Sequence, residues 1–276
     1  MIGTAFLKET IYYLAIPEKL AFLSDTHNTD PKDILISLEK QHPDAIAISG
    51  DFVRGEWAEN KYSKLEESPN ALLLLKGCAD IAPTYISMGN HERSLTLYDL
   101  NLITNTGVIL LDNTFTEHNR ICFGGLSSAY FTECREYRSK MLNNINLQQK
   151  YPYLRRKPPE PDIYMLDAFE KETGYKILLC HHPEYYLKYL KNRRIDLILS
   201  GHCHGGQWRY YSMLHREWRG LYAPGQGLFP SLTSGIYDGR LVVSRGLSNT
   251  TFIPRINNPE EIIYLIPFQN MNQTVT

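Results

Sequence analysis

Five short apolar runs, each broken off by a polar cluster, constrain this chain more than any other feature. Leu20-Ala21-Phe22-Leu23 precedes Ser24-Asp25-Thr26-His27, and Ala45-Ile46-Ala47-Ile48 precedes Ser49-Gly50-Asp51. The pattern returns over 84–88 before Gly89-Asn90-His91, over 176–180 before His181, and over 195–199 before Ser200-Gly201-His202. Continuous rather than alternating apolar runs are the habit of strands buried on both faces, as in α/β sheets. Helix-like stretches lie between them, over 31–41 with Ile34, Leu35 and Leu38 on one side, and over 69–77. Ligand sites in such sheets lie beyond the carboxyl ends of the strands, so the five polar clusters are expected to converge there.

The last third reads differently. Asp238-Gly239 between strand-like segments is a hairpin signal, and residues 261–266 make a closing strand, which together suggest a second sheet packed on the first. Between 130 and 162 the strand pattern gives way to a tyrosine-rich, basic segment, with seven Lys or Arg against three Glu from Phe131 to Glu160. It reads as an insertion, either a solvated helix or a lid, within a single domain spanning 1–276. No run of 18 or more apolar residues could span a bilayer, and the first nine residues resemble neither signal peptide nor anchor, so a cytoplasmic protein is expected. A formal net charge of -1 excludes a strongly basic nucleic-acid binder. Five cysteines without close pairing argue for reduced thiols rather than a disulfide framework.

Asp25 and His27 stand two residues apart, so at an extended strand end they point to the same side and one metal ion could take both. His202 and His204 repeat that spacing with two nitrogen donors, while Cys203 alternates away from them. Asp51 follows a glycine that permits a close turn, and Asn90 offers an amide oxygen beside His91, which could remain unligated. With His181, nitrogen and oxygen donors dominate, a set that suits Mn, Fe, Zn or Co better than a thiolate-rich structural zinc site. His182 is left open, since only one of two adjacent strand residues faces a site. His42, His118 and His215 have no comparable setting and read as structural.

The series Asp25-x-His27, Gly50-Asp51, Gly89-Asn90-His91-Glu92, His181 and Gly201-His202-Cys203-His204 resembles, in order, the five motifs of calcineurin-like metallophosphoesterases. The run from Gly201 to Gln207, with Ser244-Arg245-Gly246-Leu247, Pro254-Arg255 and Pro259-Glu260 after it, is most similar to the bacterial, YkuE-type branch. The resemblance implies a four-layer α/β/β/α sandwich, two mixed sheets flanked by helices. It implies two divalent ions, Mn foremost with Fe, Zn or Co as alternatives. One would be held by Asp25, His27 and His204 and the other by Asn90, His181 and His202, with Asp51 bridging. The implied reaction is phosphate-ester hydrolysis, a phosphodiesterase in the first instance, by a hydroxide shared between the ions, with His91 assisting the leaving group. A phosphomonoesterase, a protein phosphatase and a catalytically silent metal-binding scaffold are the alternatives; a metalloprotease lacks its His-Glu-x-x-His. Possible substrates are a nucleotide or a lipid-linked diphosphate, with the basic segment as a peripheral membrane contact. Two positions depart from the family. Arg54 stands where many members carry an aspartate that orients the catalytic histidine, and it reads as a phosphate-binding candidate. Ser127-Ser128 follows Gly125-Leu126 where close relatives carry an acidic residue.

Overall fold

The computed structural model describes residues 7–54, 65–132, 160–249 and 254–268. Two six-stranded mixed sheets organise them. The first runs β1 (Lys8–Leu14), β16 (Glu261–Pro267), β2 (Leu20–Leu23), β3 (Ala45–Ile48), β4 (Thr84–Ile86) and β5 (Ile109–Leu110) across its width. The second runs β14 (Gly235–Tyr237), β15 (Leu241–Val243), β9 (Leu197–Ser200), β8 (Tyr175–Cys180), β7 (Ile121–Leu126) and β6 (Thr114–His118). Two hairpins belong to neither sheet: β10 (Arg209–Ser212) with β11 (Glu217–Gly220), and β12 (Tyr222–Ala223) with β13 (Gly227–Leu228).

Residue parity explains why the strands read as continuous apolar runs. Leu20, Phe22, Ala45 and Ala47 pack against Ile177, Leu179, Leu197 and Leu199 of the facing sheet. Their neighbours Ala21, Leu23, Ile46 and Ile48 pack outward on α1 (Lys32–Gln41), α2 (Pro69–Ile81) and α3 (Leu97–Thr104) through Ile34, Leu38, Leu74, Leu75 and Ile103. On the far side, Leu178, Cys180 and Ile198 meet Leu166 and Phe169 of α4 (Tyr164–Phe169). Successive side chains thus alternate between two apolar layers, and neither face tolerates polarity. The result is the expected α/β/β/α sandwich.

Three details differ from the sequence reading. The second sheet begins at β6, well before the last third, and its strands β7, β8 and β9 are buried on both faces for most of their length, so they read like those of the first sheet. The closing strand β16 returns to the first sheet, parallel to β1 and antiparallel to β2. α2 continues past Gly77 to Ile81. That glycine is a contact rather than a stop, since a Cβ on it would meet Leu35 Cδ1 of α1 at 2.6 Å. The lid or helix expected within 130–162 falls largely on 133–159, outside the described residues.

β16 is pinned at its first residue. The buried Glu261 carboxylate accepts from the Arg245 backbone N–H at 2.9 Å and the Thr10 hydroxyl at 2.7 Å, and pairs with Arg245 Nη2 at 2.5 Å. Arg245 follows β15 and Thr10 lies in β1, so one carboxylate joins the two sheets. Glu261→Ala leaves the guanidinium buried without its partner and is expected to cost about 3–5 kcal/mol in urea unfolding. Lys76→Ala, which breaks an exposed pair with Asp80, should cost under about 1 kcal/mol; equal losses would refute the role given to Glu261.

Candidate metal centre

β2, β3 and β4 run parallel, so their carboxyl ends share one edge. β8 and β9 are likewise parallel and deliver their ends to the same place from the facing sheet. Backbone bonds stitch the two edges: Ser128 N–H donates to the Met88 carbonyl at 2.8 Å, and Leu247 N–H to the Ser24 carbonyl at 3.1 Å. Six of the seven expected donors fall into two groups, Asp25 with His27 and His204, and Asp51 with His181 and His202, whose ligand atoms lie within 4.8 Å of one another. Asn90, the seventh, is buried next to His91, whose backbone N–H donates to Asp51 Oδ1 at 2.8 Å. Asp51 lies between the groups: its Oδ2 is 3.1 Å from His181 Nε2, 3.7 Å from His91 Nε2 and 3.9 Å from His27 Nε2. His204 Nε2 is 3.5 Å from Asp25 Oδ1.

The imidazoles are oriented from behind. His27 Nδ1 lies 3.3 Å from the Val53 carbonyl and His181 Nδ1 2.7 Å from that of Ser49. A carbonyl only accepts, so each Nδ1 carries the hydrogen and each Nε2 faces the centre, the arrangement of metal-ligating histidines. His27 Nε2 and Asn90 Oδ1 are buried without a hydrogen-bond partner in the protein, while His181 Nε2 has the Asp51 carboxylate at 3.1 Å. Orphaned buried acceptors are costly unless something satisfies them, and a divalent cation suits this donor set. The thiols do not compete, because burial pushes Cys180 and Cys203 up, well away from the thiolate a metal needs.

Charge balance follows the same geometry. Burial lowers His27 to about 4, and His91 and His202 to about 3, so these rings are neutral near pH 7. Burial opposes protonation of His181 too, but the Asp51 carboxylate beside it prevails and raises it to about 10. Asp51 is held well below the usual carboxylate range: burial alone would raise it, but His181 and His91 outweigh that.

The backbone is strained where the donors sit. Asp25, His27, Asp51, His202 and His204 have φ of 53°, 41°, 55°, 68° and 45°, in the left-handed region that non-glycine residues rarely enter. The Asp51 turn is held by Glu92, a residue the sequence reading quoted without giving it a role. Its buried carboxylate accepts from the backbone N–H groups of Asp51 (2.9 Å), Phe52 (2.8 Å), Val53 (3.2 Å) and Gly89 (2.7 Å). Gly89 lies so close that a Cβ on it would meet Asp51 Oδ1 at 2.2 Å.

His182, left open by the sequence, joins neither donor group of the seven. It is buried with Nε2 2.8 Å from Ser128 Oγ and Nδ1 3.2 Å from Glu184 Oε1. Glu184 Oε1 is also 3.9 Å from His202 Nε2, so His182, Glu184 and His202 make a further cluster of possible metal donors beside the other two. Burial would raise Glu184, but His202 and His182 hold it at about 2, ionised. The sequence signal for it was an acid three residues after His181. Arg54 is exposed, one residue beyond the carbonyl that orients His27, with its backbone N–H donating to Ser68 Oγ at 2.9 Å. His42 caps α1 in the left-handed conformation, His118 ends β6 and His215 lies in the β10–β11 turn, none of them in the centre.

Residues 18–206 match the family model of the calcineurin-like phosphoesterases. An uncharacterised metallophosphoesterase of Helicobacter pylori (strain J99) is 29% identical over 276 residues, covering 94% of this chain and 63% of its own length. The uncharacterised metallophosphoesterase YkoQ of Bacillus subtilis (strain 168) is 26% identical over 253 residues, covering 88% of this chain and 80% of its own. The phosphodiesterase YaeI of Escherichia coli (strain K12) is 26% identical over 216 residues, covering 74% of this chain and 66% of its own. The chain thus spans less than two thirds of the Helicobacter relative. Among the described residues no helix is long and apolar enough to cross a membrane.

The titrations carry a sign that unfolding can read on metal-stripped protein. His27, His91 and His202 are lowered, so their contribution is complete above the ordinary value of 6.5 and is lost as pH falls toward about 4 and 3. His181 is raised, so its contribution is complete below 6.5 and is lost as pH rises toward about 10. Among these histidines three act on the acid side and one on the alkaline side; the lowered carboxylates Asp25, Asp51 and Glu184 add to the acid side, and Glu92, raised to about 7, opposes them. The thermal midpoint should therefore fall more steeply from neutrality into acid than into alkali, and the opposite asymmetry would contradict the charge balance.

Proposed function

The chain belongs to the calcineurin-like phosphoesterase family, and we propose that it hydrolyses a phosphodiester at a dinuclear metal centre. The observation that carries this is the crowding of buried donors into overlapping groups, Asp25 with His27 and His204, His27 with Asp51 and His91, and Asp51 with His181 and His202, so that Asp51 is shared and His91 lies within reach of the same centre. Asp25, His27 and His204 would hold one divalent ion, Asn90, His181 and His202 the other, and Asp51 would bridge. Mn leads, with Fe, Zn and Co compatible with the same donors. Two such ions supply a nucleophile from water at neutral pH and neutralise charge on the phosphoryl oxygens.

The protein's own groups do the rest. Val53 and Ser49 carbonyls fix the tautomers of His27 and His181. His91, neutral and packed edge-on against His27 with centroids 4.4 Å apart, is placed to donate a hydrogen bond to the leaving oxygen as charge builds there. Its support differs from the family's aspartate: the backbone bond to Asp51 and the His27 ring hold it, which leaves Arg54 for a phosphate oxygen. The run from Gly201 to Gln207 supports the YkuE-type branch, and the relative named a phosphodiesterase favours diesters over monoesters. A nucleotide or lipid-linked diphosphate is the proposed substrate class. A silent scaffold is disfavoured by an intact Asn90-His91 and a complete donor set.

Bis-p-nitrophenyl phosphate hydrolysis with Mn, alongside metal analysis, tests this. His91→Ala should lower kcat by about 10²–10⁴-fold while leaving two ions per chain; Asp51→Asn should lose metal and activity together. Undiminished turnover in both variants would sink the assignment. Arg54→Ala should raise KM roughly tenfold with metal content unchanged, the scale of one charge-assisted hydrogen bond; an unaltered KM would return Arg54 to the solvated surface.

A further inference from the structure

The β10–β11 hairpin leaves the main body just after the loop that carries His202 and His204. Its base is fastened to that loop: Leu221 N–H donates to the Gly206 carbonyl at 3.1 Å, and a Cβ on Gly206 would meet Gly220 Cα at 2.3 Å. Beyond the base the hairpin presents apolar side chains to solvent. Tyr211 and Trp218 pair across the strands with ring centroids 5.8 Å apart, and Tyr210 reaches Phe229 of the neighbouring hairpin at 6.3 Å. At the tip, Met213 and Leu214 are 82% and 85% exposed. A two-stranded hairpin is marginal in water by itself, and a contiguous apolar patch on a surface marks an interaction site.

The layering identifies the partner. In the turn Met213 and Leu214 are aliphatic and are followed by His215 and an exposed Arg216, and the rows behind them are aromatic. Although Glu217 pairs with Arg219 at 3.1 Å, Arg209 and Arg216 leave the hairpin net cationic within a chain of net charge -1. At about 3.3 Å per residue the tip stands roughly 10 Å beyond the Tyr210–Arg219 row, the depth to which interfacial elements enter a bilayer. Trp and Tyr favour the headgroup level, and arginines favour anionic lipid. We infer that this hairpin docks the protein on an anionic lipid bilayer, with the metal centre at its base facing the headgroup layer. Docking stands on the hairpin alone; that it serves hydrolysis of a membrane-borne phosphate ester rests on the function proposed above.

Co-sedimentation of the whole chain with phosphatidylcholine vesicles, with and without about one quarter phosphatidylglycerol, tests it. The protein should pellet with the anionic vesicles and much less with the neutral ones. The double substitution Met213→Ser and Leu214→Ser should weaken binding about tenfold or more, while hydrolysis of bis-p-nitrophenyl phosphate stays unchanged, since neither residue belongs to the metal centre. Failure of the wild type to pellet, equal binding to both vesicles, or undiminished binding by the double variant would overturn the inference. So would a dimer in sedimentation velocity that the double variant dissolves, which would make a second copy the occupant. A wild type that pellets with anionic vesicles yet hydrolyses no ester supports docking and overturns the phosphoesterase reading instead.

Discussion

The carboxylate of Glu92 is the interaction on which the metal centre depends. It is fully buried and accepts four backbone N–H groups, three from the turn after β3 and one from the turn after β4. Burial and the nearby Asp51 charge push it up to about 7, against the backbone donors that favour its ionised form. A neutral side chain there would leave buried N–H groups short of an acceptor, each a loss of about 1–3 kcal/mol. The bonds do more than stabilise. They hold Asp51 at φ 55° and draw Gly89 against it, so that Asn90 and His91 emerge beside the Asp51 carboxylate. Two parallel strands alone would bring those turns near each other; Glu92 fixes their register to within a hydrogen bond.

Much of the site was legible because metal chemistry writes itself into short motifs. Strand parity was expected to put Asp25 with His27, and His202 with His204, on one side; instead all four lie beyond the strand ends in left-handed backbone, where parity does not apply, and His202 and His204 fall in different groups. Sheet membership was not legible. Phe22 and Leu179 face each other across the sandwich, yet nothing in two equally apolar runs says that one belongs to each sheet. Glu92 was hidden for a related reason: an acid whose partners are backbone amides has no local pattern. Gly77 misled because a glycine near a helix end has two uses, termination and close packing, and only the neighbouring helix decides between them. The aromatic hairpin was passed over because exposed Trp and Tyr look, in sequence, like core.

The strained turns and the sandwich are one design. Five donors sit in left-handed backbone that a free peptide would abandon, at a cost of about 1–3 kcal/mol each, and each stands at or just beyond the end of a strand whose two faces are both buried. A strand clamped by apolar layers on either side cannot relax its last residue without moving the core, and dense interiors resist such shifts. The strain is therefore carried by the β2, β3 and β9 ladders, and the donors remain preorganised. The same rigidity reaches past His204: Gly206 and Gly220 lie in contact, so the hairpin base is fastened to the loop that carries His202 and His204. Whatever surface the hairpin meets, its position relative to the metal centre is fixed by that contact.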